Sequence, residues 1–535
     1  MTSHRRRTAP RWARLPEWAT LTVWAATLLM VAASVARAFT YPPLGSKDEP
    51  AHFDYAVLLW HGRFPVFEDG ITYGTTFGVD APVQWVSQHP PLYYLVLAPI
   101  VGPLYDGDHA LIAVLAGRMV SAVMAGLVVL ATAWAASRCF PGHRRLPGGA
   151  AVVTALAGML VQQGSSIYND VLFVVFCALA CGVAGAALRT GVGPRLLVGA
   201  ALVGAGGMAT RLTFFVWLIA ICAAVLLAPT VRLGRLPAVW ARLLAAATPG
   251  LAALVAAGWW YVHNKQTTGN FSGRHAQWGL ENAGRVERPF LDITFDPEFY
   301  KSLFGVYRGI MKPADPTQWV LMLGPIVLAV VVGLVALVRR TRSGTALPVR
   351  RVAPLGWMPA WLSVGLVVAM FVAVTLLLVV VEIQYVTGGG APITRYALTV
   401  LPPIAIAMSA GLTGWRWTSG VFTALWIALA VVPYLTLVDL HVVGIVPHAA
   451  RVVQVMFVVS LVAMVGCVVG AFLDARRRPE APAAVSRSGA PTTDGTAADG
   501  IVADGTAAED TGTDTPAAED RADGRGDTAL LDRTD

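Results

Sequence analysis

The segment GSKDEPAHFDYAVLLWHGRFP, residues 45–65, places two adjacent carboxylates, Asp48 and Glu49, before a proline, with His52 four positions after Asp48 and Arg63 further on. Asp-Glu-Pro is a helix-start pattern, because Pro50 suits the first turn, and Gly62 supplies a stop. Carboxylates there sit at the positive end of the helix dipole, which favours their ionised form. An ionised Asp48 can take a proton from an attacking hydroxyl, bind a cation, or simply cap the helix. His52, at i+4, projects on the same side as Asp48.

Other polar residues are hard to read as solvated loop. They are His89, Tyr93 and Tyr94 in QHPPLYYLVLAP, Asn169 and Asp170 in SIYNDVL, Arg211 in MATRLTF, and Arg395 and Tyr396 in TRYALTVLPP. Each has a plain alternative. Asn-Asp in a tight turn is ordinary turn chemistry, Arg211 can snorkel to an interface, Arg63 can be a surface partner, and His89 can close a turn. What decides between the readings is whether the remaining elements carry these residues to one face.

Those elements are membrane spans. Of 535 residues 56% are hydrophobic and 13% charged, far more apolar than a soluble domain. At about 20 apolar residues per span, about twelve helices fit, giving an all-α polytopic membrane protein. Arg5, Arg6, Arg7, Arg11 and Arg14 precede the first run, and Arg138, Arg144, Arg189, Arg235, Arg339, Arg416 and Arg476 mark later turns. The positive-inside rule then puts both termini in the cytoplasm of a multi-pass plasma-membrane protein. The net charge of +8 thus reports orientation rather than nucleic-acid binding.

The expected organisation is a basic cytoplasmic N-terminus (1–17), a membrane unit (18–475) with outer loops at 41–108 and 263–318, and a disordered acidic cytoplasmic tail (476–535). The first run, 18–39, is too long for a signal-peptide core and reads as a retained helix. Residues 89–105 read as an interfacial or re-entrant helix. Asp296-Pro297-Glu298 starts an amphipathic interfacial helix carrying Phe299, Leu303, Phe304, Tyr307 and Ile310. The five cysteines lie in or beside apolar runs with no disulfide or zinc spacing. All the polar candidates above fall on the outer side.

In their order and location, SKDEPAHFDYAVLLWHGRFP, QHPPLYYLVLAP, SIYNDVL, MATRLTF, WWYVHNKQTTGNFSG and TRYALTVLPP resemble the GT-C glycosyltransferase superfamily. The nearest relatives are protein O-mannosyltransferases, the lipid A aminoarabinose transferases and their bacterial cousins. The resemblance covers about residues 18–413 and not the tail. It implies a polyprenyl phosphate sugar as donor, an acidic base in the first outer loop, and basic residues at the donor phosphate.

Carried over, Asp48 is the base with Glu49 as second acid, and Arg211 and Arg395 hold the phosphate; the other candidates on the outer side, His52, Arg63, His89, Tyr93, Asn169, Asp170 and Tyr396, are expected from their location to line the substrate site. The expected activity is transfer to a glycan, lipid or protein acceptor hydroxyl at the extracytoplasmic face, with inversion. No cofactor is required by the residues, although a divalent metal at Asp48 and Glu49 is an option. A transporter or flippase of envelope precursors, and a non-catalytic subunit of an envelope-synthesis assembly, are the alternatives. The absence of visible half-to-half duplication weighs against the transporter.

Overall fold

Each apolar run read from the sequence becomes a helix, since amides in lipid must be paired within their own segment. The computed structural model describes residues 16–45, 47–234, 236–308, 314–342, 349–351, 357–435 and 446–476. The tail after 476 and most of the basic N-terminus, for which the sequence predicts disorder and a cytoplasmic location, lie outside these residues.

The first half comprises α1 (Leu21–Ala38), α2 (Glu49–Trp60), α3 (Leu92–Asp106), α4 (Ala110–Cys139), α5 (Leu146–Ala155), α6 (Gly158–Gly164), α7 (Asp170–Thr190), α8 (Pro194–Met208) and α9 (Phe215–Leu226). Then come α10 (Ala238–Thr268), α11 (Ala276–Asn282), α12 (Phe290–Thr294), α13 (Pro297–Leu303), α14 (Pro316–Arg342), α15 (Ala360–Thr387), α16 (Leu401–Thr413), α17 (Ser419–Leu435) and α18 (Ala449–Arg476). An exception to the helical pattern, three residues long on each side, is the antiparallel pairing of Val349–Arg351 with Trp357–Pro359.

Among the described residues eight helices are long and apolar enough to cross a membrane, or nine if α5 and α6, bent by 65°, form one broken span. The chain is a multi-pass membrane protein. Three of the twelve expected spans, α8, α9 and α17, are apolar helices shorter than the others. The 15 residues of α8 reach about 22 Å at about 1.5 Å per residue, less than the hydrocarbon core of about 30 Å. Outward side chains on α10, such as Val239, Trp240, Leu254 and Val255, are exposed and suit lipid rather than water.

Small residues set the close helix contacts. A Cβ added at Gly182 of α7 would fall on the Trp134 ring of α4, and one at Gly411 of α16 on the Pro325 carbonyl of α14. The polar segments joining the helices meet at one end of the bundle. Trp260 Nε1 and Asn264 Nδ2 of α10 both donate to the Gln88 carbonyl, at 3.0 and 3.1 Å, and the Phe67 and His275 rings stack at 3.6 Å.

The 89–105 segment forms α3, buried through Tyr93, Tyr94, Leu97 and Val101. The interfacial helix expected from 297 to 312 is shorter. Asp296 caps it as the sequence suggests, accepting from the Glu298 amide at 2.9 Å, but the helix ends at Leu303. Tyr307 is instead drawn into the bundle, its hydroxyl 3.3 Å from Met408 Sδ, while Ile310 lies outside the described residues.

Candidate active site

Glu49 and Arg118 anchor the start of α2. Both side chains are 0% exposed and their charges meet at 2.7 Å. Arg118 Nε also donates to Glu49 Oε1 at 2.8 Å, and its remaining hydrogens go to the carbonyls of Ala38, Pro42 and, at 3.4 Å, Tyr41. All five guanidinium donors therefore have acceptors. Glu49 Oε1 accepts in addition from the Ile167 amide at 3.1 Å, so one carboxylate ties α1, α2, α4 and the turn after α6 together. That occupies Glu49 in the fold and corrects the expectation of a second catalytic acid.

Asp48 takes a different direction, because neighbouring residues at a helix start diverge by about 100°. Its Oδ2 pairs with Arg395 Nη1 at 2.6 Å, the two side chains being 20% and 13% exposed. Trp85 Nε1 donates to Oδ1 at 3.2 Å, and the Asp48 amide donates to the Tyr168 hydroxyl at 3.1 Å. Asp48 stands at the N-cap position without a side-chain cap bond. Its carboxylate is spent on Arg395 instead.

Beside this pair lies an aromatic wall. His52 Nδ1 is 2.7 Å from the Tyr94 hydroxyl, and its ring stacks with His89 at 6.1 Å and meets Tyr168 at 4.9 Å. Burial, followed by the charges of Arg395 and Arg211, pushes the His52 pKa well below its ordinary value. Burial and then Arg211, His52 and Arg395 do the same to His89. Both imidazoles are held neutral. One turn after His52's neighbour Ala51, Asp54 accepts the Thr72 and Tyr73 amides, each at 2.8 Å, and Gln84 Nε2 at 2.6 Å, pinning the long loop back onto α2. Its burial raises the carboxyl above the usual range, with these hydrogen bonds acting against that rise.

The second cation is Arg211, paired with Asp170 at the first turn of α7. Its guanidinium lies over the Tyr396 ring at 5.3 Å, and Arg395 lies over the same ring at 5.5 Å. Tyr396 thus contacts both cations. Asn169 is buried with Nδ2 3.4 Å from the Thr210 carbonyl. Glu382 of α15, 3% exposed, lies one turn before Tyr385, whose ring meets the Tyr396 ring at 5.5 Å.

The structure therefore gathers Asp48, His52, His89, Asn169, Asp170, Arg211, Arg395 and Tyr396. It separates two of the expected residues from them. Arg63 is exposed beyond the far end of α2, about 18 Å along its axis from Asp48. Tyr93 is spent on Ser121 Oγ of α4 at 2.8 Å, leaving its neighbour Tyr94 to contact His52. Asp48 and Glu49 bind different arginines, so they do not fit a shared divalent ion, and among the described residues no three His, Cys, Asp or Glu side chains form a metal-sized group. Arg118 and Glu382 escaped the sequence reading. The signal for Arg118 was a lone arginine inside an apolar span.

The molecule is thus a helical multi-pass membrane protein with a carboxylate and two guanidiniums converging at one end of the bundle. No protein-family model and no curated protein matches its sequence. Among solved structures, it is similar to ArnT from Cupriavidus metallidurans bound to undecaprenyl phosphate, with 14% identity over 84% of this chain and 77% of that one, at a TM-score of 0.43. It is also similar to the oligosaccharyltransferase AglB from Archaeoglobus fulgidus, in complex with an inhibitory peptide and a dolichol-phosphate, with 11% identity and a TM-score of 0.40. The match covers 84% of this chain and 56% of AglB, so it spans little more than half of the archaeal protein.

Proposed function

We propose that this chain is an integral-membrane glycosyltransferase that moves a sugar from a polyprenyl phosphate donor to an acceptor hydroxyl at the outer face, with inversion. The observation that carries the reading is the meeting of Asp48, Arg395 and Arg211 from three distant stretches of the chain. The acceptor is a glycan, lipid or protein.

A phosphate leaves the anomeric carbon without a general acid, so one base and charge stabilisation suffice. Arg395 and Arg211 suit bidentate contact with phosphate oxygens. Asp48 takes the acceptor proton as its oxygen attacks, and a single displacement inverts the anomeric centre. In the free protein Arg395 is held by Asp48, so the donor phosphate replaces the carboxylate on that guanidinium and leaves Asp48 free to act as base. The neutral imidazoles of His52 and His89 add no competing charge beside the phosphate.

Orientation follows from the opposite end of the bundle. Arg138, Arg144, Arg145, Arg189 and Arg416 lie at helix ends or short turns there, which supports an extracytoplasmic site and cytoplasmic termini. The test is transfer from C55 polyprenyl phosphate sugars by protein in nanodiscs. Asp48→Asn should lower the rate by about 10²–10⁴, the usual contribution of a general base, while the protein still accumulates. Full activity in that variant overturns the reading, and lipid flipping in liposomes without a covalent product favours a transporter.

A further inference from the structure

Three buried polar atoms among the residues just described have no hydrogen-bond partner among the described residues: Glu382 Oε2, Asn169 Oδ1 and Arg395 Nε. Glu382 is 3% exposed and sits one turn of α15 before Tyr385, whose ring meets at 5.5 Å the Tyr396 ring that both guanidiniums contact. Asn169, fully buried, directly precedes the aspartate that pairs with Arg211.

An unpaired buried polar atom costs about 1–3 kcal/mol, so such atoms are rare and call for a cause. Charge balance does not supply one. Arg395 already has Asp48 and Arg211 already has Asp170, so the pair of cations does not require a third carboxyl. Two acceptors and one donor left unpaired on residues of this cluster are the complement of a phosphoglycoside head, whose hydroxyls donate and whose phosphate accepts.

We infer that Glu382 is a sugar-contacting, specificity-determining residue: a carboxyl oxygen accepts a hydrogen bond from a hydroxyl of the glycosyl unit, with Asn169 as second acceptor and Arg395 Nε directed to the phosphate. A carboxyl oxygen accepts in either protonation state, so the contact does not depend on which is present. The inference rests on the lipid-phosphate-sugar reading of the site. Substrate selection falls to it because a site built to bond a hydroxyl rejects an analogue lacking it more strongly than an apolar wall can.

The experiment compares full-length wild type with Glu382→Leu in nanodiscs, titrated with undecaprenyl phosphate and with C55 polyprenyl phosphate glycosides of mannose, glucose, N-acetylglucosamine and arabinofuranose. Wild type should bind at least one glycoside more tightly than the bare lipid. Glu382→Leu, which has no acceptor, should lose about tenfold of that preference, with affinity for the bare lipid within about twofold of wild type, whereas Glu382→Gln keeps an acceptor oxygen and should retain most of it. A preference that survives in Glu382→Leu overturns the role of Glu382 and leaves the wider reading intact. Equal losses for bare lipid and glycoside make Glu382 a support of the fold, which also overturns the inference. Wild type binding neither class overturns the lipid-phosphate reading itself. Should Glu382→Leu not accumulate, Glu382→Asp carries the same comparison, since a carboxyl shortened by one methylene loses the contact while keeping its charge.

Discussion

Asp48 Oδ2 and Arg395 Nη1 meet at 2.6 Å, one at the start of α2 and the other in the turn that leads into α16. The proposed base and a proposed phosphate ligand are therefore each other's partners before substrate arrives. Donor binding must exchange one anion on Arg395 for another. Asp48→Asn removes the competitor without removing the guanidinium. With no carboxylate competing for Arg395, Asp48→Asn should bind undecaprenyl phosphate more tightly than wild type while failing in transfer. Arg395→Gln should weaken the same binding. Lipid affinity that falls in Asp48→Asn would argue against the exchange.

Glu49 should behave in the opposite way to its neighbour. Glu49→Gln leaves Arg118 as a buried charge without its carboxylate, which typically costs about 3–5 kcal/mol. The expected outcome is a marked loss of folded protein and of melting temperature in detergent, where Asp48→Asn changes both little. Replacing the pair with Leu and Met should recover only part of the loss, because the carbonyls of Ala38 and Pro42 would still lack the Arg118 donors. A Glu49→Gln protein that melts like wild type but fails in transfer would restore Glu49 as a reacting acid.

The same two residues show how far the sequence could be read. Hydrophobic runs and arginine-rich turns were enough to bring Asp48, Asn169, Arg211 and Arg395 to one end, since span parity is written in composition. The partner of each carboxylate was not, because Asp48 and Glu49 differ only by a rotation about the start of α2. That rotation selects Arg395 for one and Arg118 for the other. Glu382 gave no signal in the sequence, as its burial depends on how α15 packs. The break within a span was not legible either, since a run such as 149–166 gives no sign of the 65° bend between α5 and α6.

The stacked His52 and His89 make stability sensitive to mild acid. Both are depressed well below the ordinary histidine value, so the unfolded chain binds protons that the fold refuses. Their contribution is constant above about pH 6.5, the unfolded value. Below it, stability falls by up to about 1.4 kcal/mol per pH unit for each ring, until the folded values are reached. Asp54, with its raised carboxyl, acts in the opposite sense, but only where unfolded carboxylates begin to lose their protons to water, at about pH 4 and somewhat above. Melting temperature should thus fall as the pH drops below about 6.5 towards 5.5. His52→Gln with His89→Gln should flatten the drop, and an unchanged slope in that double variant would place the acid sensitivity elsewhere.

Arg211 offers a test of phosphate binding that needs no turnover. It is buried against Tyr396 and Phe173, at 5.3 and 5.8 Å from the ring centres, with Asp170 as its charge partner. Asp170→Asn strands that cation, and a stranded buried charge typically costs about 3 kcal/mol or more. A phosphate able to reach the guanidinium should restore part of what the carboxylate supplied. Ligand at about a hundred times its dissociation constant adds about 2.7 kcal/mol to any protein that binds it only when folded. Undecaprenyl phosphate should therefore raise the melting temperature of Asp170→Asn by more than it raises that of wild type, because Arg211 in the variant has lost its paired carboxylate. Phosphatidylglycerol at the same concentration separates this effect from a general response to anionic lipid. Equal shifts for the two lipids, or a smaller shift in the variant than in wild type, would remove Arg211 from the phosphate site and leave its pairing with Asp170 as a feature of the fold alone.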